Sequence, residues 1–411
     1  MRLTASPRRT AALDVGFYLI SAVFAGATAI FSQFYGYRIW GALAVVAYLV
    51  GLVQGLVMLS GRRLGSRFMP VWLTAAIGMV LPLAVLLIRR LQGVPWSEQP
   101  EVWVIENSAT RLLHSGSPYL DLATLGRPPI VDDYTPYGVA MSVFGIPHAL
   151  FGLSALTDAR VAFGVVAALI AVVALRVLGS TKIPVRAAQL ILACPLTTLA
   201  FAVAGDDLVI VALMLLALAL LHRRRPVFCG GVIAVAVSIK LTASPALIVL
   251  AVAVFGMFGL RSLLRFCAAV LGVGFVVTVP VMLVDPRNFI EQVIKFPLGI
   301  GIAHSPAESP LPGVLIGRLG PAGHDVAIAL MLLAALAIGI WLVIRPPKLA
   351  SDAAFRSAIG LGLAIMLSPA TRYGYLVYPL ALFGAAITLR AKENQDERVA
   401  IDEFLAEPAE V

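Results

Sequence analysis

The sequence predicts an all-α, polytopic transmembrane helical bundle of about 12–13 spans with extracytoplasmic loops. Hydrophobic residues make up 60% of the 411 residues and charged residues 13%, whereas soluble domains have about 45–50% and about 25%. The mean hydropathy is +0.95. Apolar runs near the ~20 residues that cross a bilayer recur along the chain, and none alternates like a barrel strand. We therefore expect a chain solvated by lipid.

The candidate spans divide the chain into three regions. Residues 1–67 supply two extra N-terminal helices, 68–391 form the main transmembrane core, and 392–411 form an acidic cytoplasmic tail. The first apolar run is too long for the core of a cleaved signal peptide, so we expect it to remain as a span. The spans are 11–34, 39–60, 68–88, 137–154, 159–178, 186–204, 206–221, 226–241, 243–259, 266–284, 322–344, 355–368 and 374–390.

The short loops predict the orientation, because Arg and Lys are enriched in cytoplasmic loops. Placing the basic clusters in the cytoplasm puts the long loops 92–136 and 286–321 outside, together with the helix ends 205–207, 240–245 and 368–373. Five polar segments thus meet at one face of the membrane. The basic clusters are Arg2/Arg8/Arg9, Arg62/Arg63/Arg67, His222/Arg223/Arg224/Arg225, Arg261/Arg265, Arg345/Lys348/Arg356 and Arg390/Lys392.

Two features do not fit this orientation. Arg89 and Arg90 fall on the outer side. Three apolar segments lie between 137 and 204, where the orientation requires an even number of crossings. Segment 137–154 is the shortest, so either it is re-entrant or two of the segments form one broken crossing.

The charge and the cysteines exclude several classes of function. The net charge of +9 does not indicate nucleic-acid binding, because most Arg and Lys flank apolar runs. Cys194, Cys229 and Cys267 lie singly in apolar segments, without metal-ligand or redox spacing. No phosphate-cradling loop or Ser–His–Asp arrangement is readable. We expect no metal, no cofactor and no nucleic-acid partner.

The loop after the third span contains the first candidate acid, Glu101. An apolar stripe at helical spacing follows it, so the sequence predicts a short amphipathic helix on the membrane surface. The helix dipole favours a carboxylate at this end, and spacing alone is equally compatible with a simple N-terminal charge and with a functional acid. Asp132 and Asp133 are compatible with ordinary loop solvation. The stripe comprises Val102, Ile105, Ala109, Leu112 and Leu113.

Other outer-side residues also have two explanations. Asp206 and Asp207 lie at the mouth of a span, where a functional carboxylate and a helix cap are both possible. Lys240 and Arg372 are exceptions to the positive-inside rule, and each either snorkels to the interface or neutralises a phosphate. His304 lies in a Pro-rich loop, where a structural role competes with a catalytic one.

Together these segments resemble glycosyltransferase family 87, whose members take sugar from a polyprenyl phosphate. The family pattern contains an acid, Ala, Leu-Leu, Gly, Pro-Tyr and Tyr-Pro-Pro, then a Gly at a helix mouth, a Lys followed by Pro, and a Ser-Pro. The resemblance covers about 68–391, and the family usually has Asp where this chain has Glu101. The corresponding residues are Glu101, Ala109, Leu112, Leu113, Gly116, Pro118, Tyr119, Tyr134, Thr135, Pro136, Gly205, Lys240, Pro245, Ser368 and Pro369.

The resemblance implies a GT-C-like enzyme of the plasma membrane. It would move a hexose, mannose in particular, from a polyprenyl-phosphate donor to a cell-envelope glycan or glycolipid acceptor at the extracytoplasmic face. Glu101 would be the general base of an inverting displacement that needs no metal, and Lys240 and Arg372 would hold the leaving phosphate. A secondary transporter or lipid flippase, or a non-catalytic membrane protein, is the alternative. The implied substrate-binding residues are Tyr134, Asp206, Asp207, Lys240, His304, Arg372 and Tyr373.

Overall fold

The computed structural model describes residues 6–62, 64–297, 300–303 and 307–406. Within these residues the chain is helical and contains no strand, apart from an isolated bridge between Glu308 and Thr371. The predicted all-α class is confirmed. The principal helices are α1 (Pro7–Phe31), α2 (Tyr35–Leu59), α3 (Met69–Leu91), α4 (Pro100–Ser115), α5 (Ala159–Leu178), α6 (Val185–Val203), α7 (Asp206–His222), α8 (Pro226–Ile239), α9 (Leu241–Phe258), α10 (Leu260–Val284), α11 (Pro321–Ile344), α12 (Ala350–Leu367) and α13 (Val377–Ala406).

Among the described residues, ten helices are long and apolar enough to cross a membrane. They are α1, α2, α3, α5, α6, α9, α10, α11, α12 and the segment Tyr373–Val399 that includes most of α13. The shorter helices α7 and α8 also run between the two ends of the bundle, because Asp207 binds Lys240 at one end and His222 lies beside Asp396 at the other. Counting them gives twelve crossings among the described residues. The protein is therefore a multi-pass membrane protein.

Segment 139–151 does not cross the bundle. The amide of Gly138 donates to the carbonyl of Ile239 at 3.0 Å, and Asp158, which follows the segment, binds Arg90 at 2.6 Å. Both ends of the segment therefore lie at one end of the bundle, which we call the site end. Of the two interpretations of 137–204, the re-entrant one is correct, and the even number of crossings is preserved.

The opposite end of the bundle, which we call the basic end, collects the basic clusters. There Arg67 binds Asp14 at 2.7 Å and His222 lies 3.1 Å from Asp396. Arg90 is at the site end because three carboxylates surround it, which accounts for its exception to the positive-inside rule. The segregation of charge that the sequence predicts is thus present in the fold.

Helix α7 forms the centre of the bundle. Fifteen of its 17 residues are buried, against α5, α8 and α13, whereas α10 buries only Phe266 and Val281 and lies at the periphery. The N-terminal hairpin α1–α2 packs on α3 and α6 through Trp40 and Tyr48, and the Tyr48 hydroxyl donates to the carbonyl of Ala193 at 3.1 Å. The core therefore extends from the hairpin to the last helix.

Several helices extend beyond the predicted spans, among them α10 and α13. Helix α10 begins at Leu260, so Arg261 and Arg265 lie in its first turns, where long basic side chains reach the interface. Helix α13 continues through the acidic tail as far as Ala406, and Lys392 binds Asp396 there at 2.7 Å. Hydropathy locates the apolar part of each helix, and charged turns beyond it remain helical.

Candidate active site

Helix α4 positions Glu101. Pro100 occupies the first turn, where its missing amide removes no helical hydrogen bond, and Glu101 beside it lies at the positive end of the helix dipole. Gly116, with φ 77°, ends the helix, and its amide donates to the carbonyl of Leu112. The predicted helix is confirmed. Its apolar stripe is buried or half-buried except at Leu113, which is 48% exposed.

The buried face of α4 packs on protein rather than on lipid. Ser108 donates to Ser142 at 2.8 Å, and both hydroxyls are buried. At Gly145 a Cβ would lie 2.5 Å from the carbonyl oxygen of Ile105, so the close approach requires glycine. The re-entrant segment 139–151 therefore covers the buried face of α4. The sequence predicted that this face lies on the bilayer surface, and that prediction is wrong.

A cavity of about 410 Å³ lies beside α4 at the site end. One part of its wall is polar and includes four charged side chains. The other part is apolar and extends to helices α11 and α12, through Met331, Leu361 and Ile365. The charged side chains are Glu101, Asp132, Lys240 and Arg372.

Glu101 and Arg372 form an ion pair in the cavity wall. Oε1 of Glu101 accepts from the Arg372 guanidinium, whereas Oε2 is buried and has no hydrogen-bond partner within the described residues. Burial would lower the pKa of Arg372, but the neighbouring Glu101 carboxylate raises it, so the guanidinium stays charged. The structure thus brings together the predicted base, Glu101, and a residue predicted to bind phosphate, Arg372. The second carboxylate oxygen of Glu101 is available to a ligand.

Lys240 is held by two carboxylates. Its Nζ lies 2.5 Å from Oδ1 of Asp207 and 3.3 Å from Oδ2 of Asp206, and the Tyr378 hydroxyl donates to the same Asp207 oxygen at 2.6 Å. The N-cap of α7 is Gly205, so the aspartates hold Lys240 rather than cap the helix. Of Lys240 and the two aspartates, only Lys240 lines the cavity.

Two tyrosine rings flank Lys240. Its Nζ lies 5.5 Å from the ring centroid of Tyr137 and 5.0 Å from that of Tyr375, within cation–π range. Both tyrosines also line the cavity. Sequence reasoning assigned them no role, although Tyr137 shares a segment with Tyr134 and Tyr375 follows Arg372 closely.

The remaining predicted site residues lie in different surroundings. Tyr134 lines the cavity, but its hydroxyl lies 3.4 Å from Glu291 and accepts from the amide of Ala303 at 3.2 Å, and its ring stacks on Phe296 at 4.4 Å. Burial raises the pKa of Tyr134. Tyr134 therefore joins two loops. Tyr373 is 41% exposed and does not line the cavity. His304 lies outside the described residues.

A second charged cluster anchors α4 away from the cavity, and the sequence analysis did not identify it. Arg90 lies 3.1 Å from Glu98, 2.6 Å from Glu106 and 2.6 Å from Asp158, which also binds Arg160 at 2.8 Å. Burial raises the pKa of Glu98. Burial would also raise the pKa of Asp158, but the two arginines outweigh it and lower that pKa. We call these five residues the anchoring cluster.

The cavity offers ionic and hydrogen-bonding chemistry. Two carboxylates and two cations line the cavity, and two further carboxylates, those of Asp206 and Asp207, lie behind Lys240. Each of the two cations is already paired with a carboxylate. In the described part of the chain, no group of three or more His, Cys, Asp or Glu side chains is arranged to hold a metal ion. What the arrangement can do is accept a proton at Glu101 and bind an anion at Arg372 or Lys240, in exchange for a carboxylate.

A comparison with known protein families gives a match. The sequence model of glycosyltransferase family 87 matches residues 134–369, more than half of the chain. The matched segment contains Tyr134, the two aspartates of α7 and Lys240, but it begins after Glu101 and ends before Arg372. Neither the comparison with curated proteins nor that with solved structures found a match.

Proposed function

The chain belongs to glycosyltransferase family 87, and we propose that it transfers mannose from a polyprenyl-phosphate donor to a cell-envelope glycan or glycolipid. The reaction would take place at the extracytoplasmic face of the plasma membrane. The membrane glycosyltransferase activity follows from the family. The donor, the sugar, the acceptor and the location are our proposal. The observation that supports it is the cavity wall, which has one polar and one apolar part.

The apolar part of the wall favours a lipid-linked donor. Met331 lies ten residues into α11, counted from Pro321, or roughly 15 Å along the helix axis. Leu361 and Ile365 belong to the last two turns of α12 and continue the same surface. A nucleotide sugar would leave this surface uncovered, whereas the first isoprene units of a polyprenyl chain would cover it.

The polar part supplies groups for an inverting displacement. The acceptor hydroxyl gives its proton to Glu101, and its oxygen bonds to the anomeric carbon. The bond from that carbon to the phosphate oxygen breaks, and polyprenyl phosphate leaves with the electron pair. Arg372 presents several N–H donors in a fixed fork, so it can bind the phosphate as Glu101 turns to the acceptor. Lys240 adds a second positive charge at the cavity wall.

Charge segregation supports the orientation. The basic clusters belong to the end opposite the cavity, and the positive-inside rule assigns that end to the cytoplasm. We expect a cysteine at the exposed position Ala123 to react with an impermeant reagent from outside the cell, and one at Arg224 only after permeabilisation. The reverse pattern would place the cavity in the cytoplasm.

The transferase is tested with purified protein in nanodiscs, radiolabelled polyprenyl-phosphate mannose, and lipid and glycan extracts of the native envelope. We expect label to move to an extracted acceptor, and Glu101→Gln to stop the transfer. Transfer from nucleotide-linked mannose but not from the lipid donor would contradict the proposed donor. Movement of intact donor between leaflets of proteoliposomes, without transfer, would instead identify a flippase.

A further inference from the structure

Asp132 differs from its neighbours in the cavity wall. It is the middle residue of the short 3-10 turn Val131–Asp133, and its side chain is exposed and lines the cavity. Asp133 accepts two hydrogen bonds from Arg127, at 2.6 and 2.8 Å, and Tyr134 is held between two loops. The backbone around Asp132 is therefore held in place beside the cavity.

Asp132 also has no partner among the described residues. Of the four charged side chains that line the cavity, Glu101 and Arg372 pair with each other, and Lys240 pairs with Asp207. No hydrogen bond or ion pair reaches the Asp132 carboxylate from the residues that the structure describes. A carboxylate has two oxygens and about four lone-pair directions, so this group can accept several donors at once.

We propose that Asp132 binds hydroxyl groups of the acceptor sugar and sets acceptor specificity, an inference that rests on the proposed function. The donor phosphate is an anion and is repelled by a free carboxylate, whereas sugar hydroxyls are the donors that a carboxylate accepts. Glu101, not Asp132, pairs with Arg372, the cation that would hold the phosphate beside the reacting carbon. We therefore keep Glu101 as the general base. Asp132 instead orients the ring that carries the attacking hydroxyl.

The experiment compares Asp132→Asn and Asp121→Asn with the wild type. The donor is radiolabelled polyprenyl-phosphate mannose, and the acceptors are the octyl glycosides of mannose, glucose, galactose and N-acetylglucosamine, followed by monodeoxy analogues of the best one. We expect Asp132→Asn to raise the acceptor KM about 10–100-fold, the range for hydrogen bonds to a charged group, with kcat and donor KM within about threefold. The wild type should discriminate against one deoxy analogue, and Asp132→Asn should not.

Asp121→Asn is the matched control, because Asp121 is an exposed aspartate of the same loop that accepts from the amide of Ala123 at 3.1 Å and does not line the cavity. It should leave acceptor KM and the deoxy preference unchanged. Wild-type acceptor kinetics in Asp132→Asn would overturn the inference, and so would a wild type that consumes donor but accepts none of the glycosides. A kcat that falls at least 100-fold in Asp132→Asn would make Asp132 the base instead. A wild type that takes no sugar from the lipid donor would refute the proposed function itself.

Discussion

Helix α4 carries two glutamates in two contrasting charged clusters. Both oxygens of Glu106 are engaged: Oε1 accepts from Arg90 at 2.9 Å and from the amide of Ala159 at 3.1 Å, and Oε2 from Arg90 at 2.6 Å. Glu101 lies about 140° around the helix, pairs with Arg372, and keeps one buried oxygen without a partner in the described chain.

The difference separates support from chemistry. In the anchoring cluster, Glu106, Asp158 and Arg160 are buried and hydrogen-bonded, although Oε2 of Glu98 has no partner within the described residues. The four charged side chains that line the cavity, which we call the cavity cluster, retain hydrogen-bonding capacity and face open volume. A buried acceptor without a partner carries a free-energy penalty, and Glu101 differs from Glu98 because it lines the cavity, where a ligand can supply the partner. The pattern of satisfied and unsatisfied oxygens therefore distinguishes two residues of identical chemistry.

The largest effect should come from Glu101→Gln. The amide keeps the size of the side chain but cannot take a proton, and general bases contribute about 10²–10⁴-fold to rate. We expect kcat to fall by that factor, measured as sugar transfer by purified protein of unchanged melting temperature. Glu101→Asp should keep part of the activity, because the carboxylate remains and lies only about one methylene group farther from the acceptor. Full activity of Glu101→Gln would show that Glu101 is not the general base.

Glu106→Gln should show the opposite balance. Arg90 keeps Glu98 and Asp158 as partners, but the amide loses hydrogen bonds that the carboxylate accepts from Arg90 and the Ala159 amide. Each hydrogen bond to a charged group contributes about 1.5–3 kcal/mol, so we expect a lower free energy of unfolding. The kcat of the protein that remains folded should change less than tenfold. Thermal unfolding in detergent and turnover per folded molecule measure the two quantities. A variant as stable as the wild type but inactive would mean that the two glutamates exchange roles.

Arg372→Ala tests one cation of the cavity cluster. Loss of its hydrogen bonds to a charged phosphate should raise the donor KM about 10–100-fold, and Arg372→Lys should restore only part of that loss, because Lys lacks the planar fork. Arg318→Ala is the control, since Arg318 is exposed and pairs with Glu308 outside the cavity lining. Equal donor KM values in all three variants would show that Arg372 does not bind the donor and only holds Glu101 in position.

The smallest effect should come from Tyr375. Tyr375→Phe keeps the ring over Lys240, so we expect the donor KM to stay within about threefold. Tyr375→Leu removes a cation–π contact worth about 0.5–2 kcal/mol and should raise that KM further. Steady-state kinetics with the lipid donor distinguish the two variants. A larger effect of Phe than of Leu would assign the contribution to the hydroxyl group.

The sequence predicted the helices well, because burial in lipid requires continuous apolar runs. It also placed Glu101, Lys240 and Arg372 at one face, since alternating crossings and basic loops determine which helix ends lie together. It could not predict that Glu101 touches Arg372, because the two residues are 271 positions apart. Contacts of that separation depend on how the helices pack, which hydropathy does not encode.

The anchoring cluster illustrates the same limit. Arg90 was an exception to the positive-inside rule, and only the fold shows the carboxylates that attract it. Asp132 and Asp133 are adjacent and identical in type, yet one lines the cavity and the other pairs with Arg127. A single sequence contains no signal that separates two such neighbours.

The depth of the cavity wall, which reaches Met331 within α11, has a kinetic consequence. If the donor is lipid-linked, as proposed, it arrives by lateral diffusion within one leaflet, and the spent carrier departs by the same route. The quantity that saturates the enzyme is then the number of donor molecules per lipid, not per litre. Diluting a vesicle suspension would leave the rate per enzyme unchanged, whereas adding plain phospholipid to each vesicle would lower it.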